Sequence, residues 1–276
     1  MMAVNNALAG SLILVFAAVG TGDALAQPGD AADIVRREIQ ALNAGDAAGV
    51  LQTFDRDALL FQLPTLADRL VGDLPQHVGA QPPARIYAQH VLAKELLPRI
   101  SIMDSIEVGD LVAVKLRTVH SVDPEKVDYS LFIYKTARSR ISAVWHAARA
   151  SADPQDASKL EVIRRLVTAS NEANVEQFVA NFSSDARLFK SSGRMHALAD
   201  QPIERLSGES NLQRAIAVAF AEGARSRTTI IAAFTFGDLV VSHDRVVVSN
   251  GAVLNQLKVY RIREGRITHD WSVYEG

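Results

Sequence analysis

Three short stretches hold the side chains that could move a proton: Trp145-His146, His243-Asp244 and His269-Asp270-Trp271. Histidine titrates near neutral pH, and a carboxylate that orients its ring makes a general acid or base. Neighbouring residues of a strand point to opposite faces, so His243/Asp244 and His269/Asp270 are not dyads by adjacency if they lie on strands. Other chemistries lack their residues. The chain has no cysteine, which removes thiol nucleophiles, thiolate metal sites and disulfides. It has no His-Glu-x-x-His, His-x-His, clustered carboxylates, Gly-x-Ser-x-Gly or phosphate-cradling glycine loop, so neither a metal nor a cofactor is expected.

What positions these residues is legible from turns and periodicity. Glu264-Gly265 between two apolar runs predicts a two-residue hairpin in which Arg263 faces Arg266. Counting outward, Tyr260 faces His269, Val259 faces Asp270, Lys258 faces Trp271 and Leu257 faces Ser272. This register groups His269 and Trp271 with Tyr260 on one face, and Asp270 and Ser272 with Leu257 and Val259 on the other. Earlier in the chain it groups His146 with Leu131, Ile133 and Val144, opposite Trp145, Phe132 and Tyr134. Both faces then read as largely apolar. His146 and Asp270 are the candidate catalytic residues, because an apolar setting shifts either group toward proton transfer near neutrality. Leu131, Ile133 and Val144, with Leu257, Val259 and Ser272, are the candidate ligand-lining residues. A plainer assignment stands beside this one: His146 as a core histidine with one hydrogen bond, Asp270 paired with Arg261 or Arg245, and Tyr260/His269 as a cross-strand pair.

The chain is one unit written twice. Ile34–Phe61 aligns with Val162–Phe189 at an offset of 128, with identities that include Arg36/Arg164, Asn43/Asn171 and Phe54/Phe182. Gly109-Asp110-Leu111-Val112 meets Gly237-Asp238-Leu239-Val240 at the same offset, and Leu131–Trp145 meets Leu257–Trp271 at 126. Each copy reads as a helix broken by a turn (Asn43–Asp46, Asn171–Asn174), an irregular stretch, and a third helix at Ile86–Leu97 or Leu212–Glu222. A meander of strands follows, Thr228–Phe236, Leu239–Ser249, Ala252–Arg263 and Arg266–Tyr274 in the second copy. No histidine of one copy aligns with a histidine of the other, so any chemistry differs between the halves.

The first residues carry an uncharged apolar run from Ala7 to Gly20, then Ala24-Leu25-Ala26 before Gln27, with no Lys or Arg before Arg36. This is the layout of a secretory signal peptide at 1–26, which predicts a periplasmic or secreted protein with no stable membrane span after cleavage; an uncleaved N-terminal anchor is the alternative. The remainder divides into domains at 27–150 and 158–276 around a polar linker at 151–157. The 29 Lys and Arg against 31 Asp and Glu are spread over both halves, which argues against nucleic acid as a partner.

This order of elements resembles the SnoaL-like branch of the nuclear transport factor 2-like (NTF2-like) superfamily. Tyr260, Arg261, Gly265, Ile267 and Trp271 match the phrase usual on its last hairpin. Tyr134, Ile141 and Trp145 match it in the first copy, with Ser139 where glycine is usual. The resemblance implies an α+β fold: a tandem of cone-shaped domains, each with helices packed in a strongly curved antiparallel sheet around an apolar pocket. The two halves would form an internal pseudo-dimer. The superfamily includes steroid isomerases, epoxide hydrolases, dehydratases, polyketide cyclases and binding modules without activity, so fold leaves function open. In SnoaL-like cyclases an acidic residue often follows the terminal tryptophan; here His146 and Ser272 do. The expectation is an exported protein that binds a small, mostly apolar ligand. Alternatives are an acid/base enzyme of isomerase, hydrolase or cyclase type, and a non-catalytic envelope interaction module.

Overall fold

A computed structural model describes residues 30–62, 99–121, 123–190, 203–207, 209–221 and 226–274. The signal-peptide segment, the expected helix Ile86–Leu97, and His77, His90 and His196 lie outside the described residues. The chain forms two compact units divided between Gln155 and Asp156. Among the described residues no helix is long and apolar enough to cross a membrane.

In the first domain α1 (Asp30–Ala44) buries Ile34, Val35, Ile39 and Leu42. Their three- and four-residue spacing makes one apolar stripe. Gly45 leaves the helix at a positive φ of 68°, and Asp46 caps α2 (Ala47–Thr53) by accepting from the Gly49 N–H. There follow β1 (Phe54–Gln62), β2 (Arg99–Val108), β3 (Leu111–Val119), β4 (Val127–Ala137) and β5 (Arg140–Ala150), paired in the order β1-β5-β4-β3-β2. The second domain repeats the plan. Its helices are α3 (Ala157–Asn171), capped by Asp156, and α4 (Val175–Ala180), capped by Asn174 at the position equivalent to Asp46. Then come β6 (Phe182–Lys190), β7 (Ile203–Ser207), α5 (Glu209–Ala221), β8 (Arg227–Phe236), β9 (Leu239–Val247), β10 (Val253–Arg263) and β11 (Arg266–Tyr274), in the sheet order β7-β6-β11-β10-β9-β8.

The expected α+β tandem is present, and each sheet is mixed. Strands β1 and β6 run parallel to β5 and β11 directly after the helix pair, in a region expected to be irregular. Helices cover one face of each sheet. In the first domain α1 packs with Val112, Val114, Leu116, Phe132, Tyr134, Ile141 and Val144; in the second, Val162, Ile163 and Leu166 of α3 and Leu212 and Ile216 of α5 pack with Val240, Tyr260, Ile262 and Ile267.

Shared polar residues hold the helices to the sheets. Asn43 donates to the Ile100 carbonyl and accepts from its N–H, and Asn171 does the same with Thr228. Each asparagine thereby completes the hydrogen bonding of one backbone unit on an edge strand. Asp238 pairs with Arg261 at 3.0 Å beside a Gly237 held at φ 60°, so the repeated Gly-Asp turn both reverses the chain and anchors β10. Ser139, where the second copy has Gly265, sits at φ 59°. There a side chain strains the backbone that glycine adopts freely.

The hairpin register differs from the one counted outward from Glu264-Gly265. Arg263 faces Arg266 and Ile262 faces Ile267, but then Arg261 faces His269, Tyr260 faces Asp270, Val259 faces Trp271 and Lys258 faces Ser272. Thr268 is the extra residue of a β-bulge, and its hydroxyl donates to the Arg261 carbonyl. Ser142 is the extra residue at the equivalent place in the first domain, donating to Lys135. One inserted residue turns every later side chain to the other face.

Candidate functional site

The bulge decides which residues meet. On β9, Ser242 and Asp244 alternate toward the helix side together with Val240, and on β10 so do Gln256, Lys258 and Tyr260. On β11, Asp270 lies opposite Tyr260 and Ser272 opposite Lys258. The helix-facing side of the second domain is therefore polar along this stretch, which corrects the expectation of two apolar faces. Lys258 Nζ lies 3.0 Å from Asp270 Oδ2 and 4.7 Å above the Tyr260 ring. The Ser272 hydroxyl donates to Asp270 Oδ1 at 3.2 Å. The Tyr260 hydroxyl donates to Asp244 Oδ2 at the long distance of 3.5 Å.

Asp244 is 1% exposed, and its Oδ1 makes no hydrogen bond among the described residues. Burial pushes its carboxyl above the usual carboxylate range; Lys258 and the nearby Ser242 oppose the shift, and Asp270 adds to it. Ser242 acts from close by without a hydrogen bond of normal geometry to Oδ1. A carboxyl held toward its neutral form can donate as well as accept. A carboxyl of raised pKa thus stands beside the Lys258–Asp270 ion pair.

Several expectations are corrected by this geometry. Asp270 pairs with Lys258, not with Arg261 or Arg245. Tyr260 and His269 are not cross-strand partners. Leu257 and Val259 lie with Trp271 on the side opposite Asp270 and Ser272. His146 faces Phe132, and its ring stacks on that ring at 4.5 Å, on the side of Val144 and Tyr134. Leu131 and Ile133 belong to the Trp145 side and are fully buried there. Of the candidate lining residues, only Val144 shares a face with His146, and only Ser272 shares one with Asp270.

The other histidines among the described residues make their contacts elsewhere. His243 Nε2 meets Asn255 Oδ1 at 3.2 Å, on the face opposite Asp244. His269 stacks on Trp271, with burial and then the charges of Arg261, Arg187 and Arg263 lowering its pKa to about 4. His120 Nε2 meets Asp128 at 2.7 Å.

The first domain keeps the tyrosine and moves its carboxyl. Tyr134, equivalent to Tyr260, donates to Glu38 Oε2 at 3.3 Å, and Glu38 is 1% exposed on α1. Burial pushes Glu38 up to about 8, the tyrosine hydrogen bond opposing. The equivalent of Glu38 in α3 is Leu166, and the equivalent of Asp244 in β3 is Leu116. Each domain thus has one buried tyrosine-carboxyl pair, built from a helix in one and from the sheet in the other.

No protein-family model matches the sequence, and neither does any curated protein. Three similar solved structures each cover less than half of the chain. An NTF2-like protein of unknown function from Cytophaga hutchinsonii is 12% identical, covers 42% of this chain and 89% of its own, with a TM-score of 0.34. A SnoaL-like protein of unknown function from Burkholderia thailandensis is 17% identical over 44% of this chain and 98% of its own, TM-score 0.35. A cystatin-fold protein from Novosphingobium aromaticivorans is 17% identical over 42% and 97%, TM-score 0.35. In fold the chain is similar to NTF2-like and SnoaL-like proteins. Within the chain one arrangement of helices and sheet occurs twice, with the same tyrosine on each sheet and a different set of side chains around it.

Proposed function

We propose that the second domain binds a small, mostly apolar molecule bearing one polar oxygen, on the helix-facing side of its sheet. The observation that carries this is Asp244 Oδ1, buried with only the Ser242 hydroxyl acting on it and no hydrogen bond of normal geometry, beside the Tyr260 hydroxyl and the Lys258–Asp270 pair. A buried polar atom whose hydrogen bonding is incomplete is rare and costs stability, so a ligand oxygen that completes it would be bound selectively. Native mass spectrometry against steroids, fatty acids and polyketide-type ketones tests this. One class should bind, and Asp244→Asn should weaken it by about 10-fold, the worth of one hydrogen bond to a buried group. Failure of every class to bind the intact chain would overturn it.

Acid/base catalysis in the same place is a second reading, favoured by the raised Asp244 carboxyl next to the Lys258–Asp270 pair. It requires Asp270→Asn to lower turnover of the bound class by about 10²–10⁴-fold while binding survives. Unchanged turnover would remove Asp270 from the chemistry.

We also propose that the chain is exported, with residues 1–26 removed. The apolar run ahead of Ala24-Leu25-Ala26 supports this. N-terminal sequencing of protein expressed with its full leader should begin at Gln27, and an intact Met1 would overturn it.

A further inference from the structure

The bulge at Thr268 turns His269 to the face of the second sheet opposite Asp270, and there the register surrounds it with cations. Arg187 of β6 lies directly beside His269 on one neighbouring strand, and Arg261 of β10 directly beside it on the other. Adjacent strands are about 4.8 Å apart, so one small ligand over the His269 ring reaches both. Arg263, whose side chain is 58% exposed, continues the same face of β10, and Arg266 stands directly across from it. Like charges directly opposite each other destabilise a strand pair. The nearby carboxylates among the described residues are Asp238, whose Oδ2 alone serves Arg261 at 3.0 Å and Arg263 at 3.3 Å, Asp185 on β6, and Glu264 in the turn. Burial and then the charges of Arg261, Arg187 and Arg263 keep the His269 ring neutral, with Asp185 opposing. Its Nδ1 meets the Thr268 hydroxyl at 3.0 Å, and its flat side stacks on Trp271.

The first domain shows what the scaffold itself requires. Lys135 pairs with Asp110 at 3.9 Å and anchors β4 as Arg261 and Asp238 anchor β10. Where the second domain carries Arg187, Arg263 and His269, the first has Leu59, Ala137 and Ala143, with Leu59 again directly beside Ala143. The sheet forms without these three polar groups, so they serve something other than the anchor.

We propose that this face of the second sheet binds a phosphate group, free or carried on a lipid, across Arg187, His269 and Arg263. Guanidinium groups present paired N–H donors to phosphate oxygens, and an anion here relieves the repulsion between Arg263 and Arg266. His269 takes up a proton as the phosphate arrives, since an opposite charge close by favours the charged ring. The site is separate from the one on the helix-facing side, whose residues occupy the other face of the same strands.

The test is an NMR titration of His269 in the full chain, in inorganic phosphate and in sodium chloride at equal ionic strength. Phosphate at up to about 20 mM should raise the His269 midpoint, which lies at about 4 without it, by about one pH unit or more. Chloride should not; an equal rise in both salts is screening and overturns the site. Arg187→Leu and Arg263→Ala install the residues that the first domain carries. Each should weaken phosphate binding by about 10-fold while raising the phosphate-free midpoint, because a cation has been removed. Unaltered phosphate affinity in both variants, or no rise specific to phosphate, sinks the proposal. Co-sedimentation with phosphatidylglycerol vesicles, against phosphatidylcholine vesicles as the reference, assigns the source: capture by the first alone identifies a lipid headgroup, and phosphate binding without capture identifies a free phosphate.

Discussion

Replacing Glu38 by Gln should make the first domain more stable at pH 8 and leave it nearly unchanged at pH 4.5. In the folded chain burial raises the Glu38 pKa from 4.5 to about 8. Between those values the unfolded chain releases the proton and the folded chain keeps it, so stability falls as pH rises through the interval and then levels off. A shift of this size corresponds to a few kcal/mol, with about 5 kcal/mol as the ceiling. Glutamine cannot ionise, yet its amide oxygen can still accept from Tyr134, so the variant should lose the slope while keeping the contact. Urea denaturation in a Trp271→Phe background, with Trp145 emission reporting the first domain, measures this. Parallel stability-pH curves for the two proteins would show that Glu38 does not hold its proton.

Replacing Lys258 by Met should destabilise the second domain by about 3–5 kcal/mol, because removing one partner of a buried ion pair leaves the other charge uncompensated. Asp270 loses the contact at 3.0 Å, and Asp244 loses the charge that opposes its desolvation. The pH dependence has a definite sign. An acid whose folded pKa is raised contributes most at low pH and loses that contribution as pH rises through the folded value, so the deficit should shrink on acidification as Asp244 protonates. Adding Asp270→Asn to Lys258→Met should recover most of the loss. If the double variant is no better than the single, packing of the lysine stem outweighs its charge.

How much of this was visible in the sequence depends on the element. The duplication, the helix-turn-helix start and the last four strands of the second copy follow from identity, cap residues and turn glycines. Strands β1 and β6 were hidden because they follow the helices without a glycine or proline to mark the change, and because their parallel partners lie far along the chain. The grouping around His146 and Asp270 was displaced by a single residue. A two-residue turn fixes register only until the first bulge, and Thr268 looks like any strand threonine. A signal did exist: Ser142 and Thr268 occupy equivalent positions, and a hydroxyl shared at one site within diverged apolar strands is unusual enough to ask what it bonds. Glu38 was also within reach. It lies four residues after Ile34 and four before Leu42, in the middle of the buried stripe, where a carboxylate has no ordinary place. The Lys258–Asp270 pair was not within reach, since its contact depends on the bulge.

Because the bulge occurs in both halves with the same hydroxyl and the same carbonyl partner, it was present before the gene segment doubled. The pattern of inward and outward residues was therefore inherited, and the two halves diverged by exchanging side chains on a settled backbone. Each half can serve as the donor for the other: grafting Lys, Asp and Ser onto Phe132, Val144 and His146 would rebuild part of one inner face inside its sister.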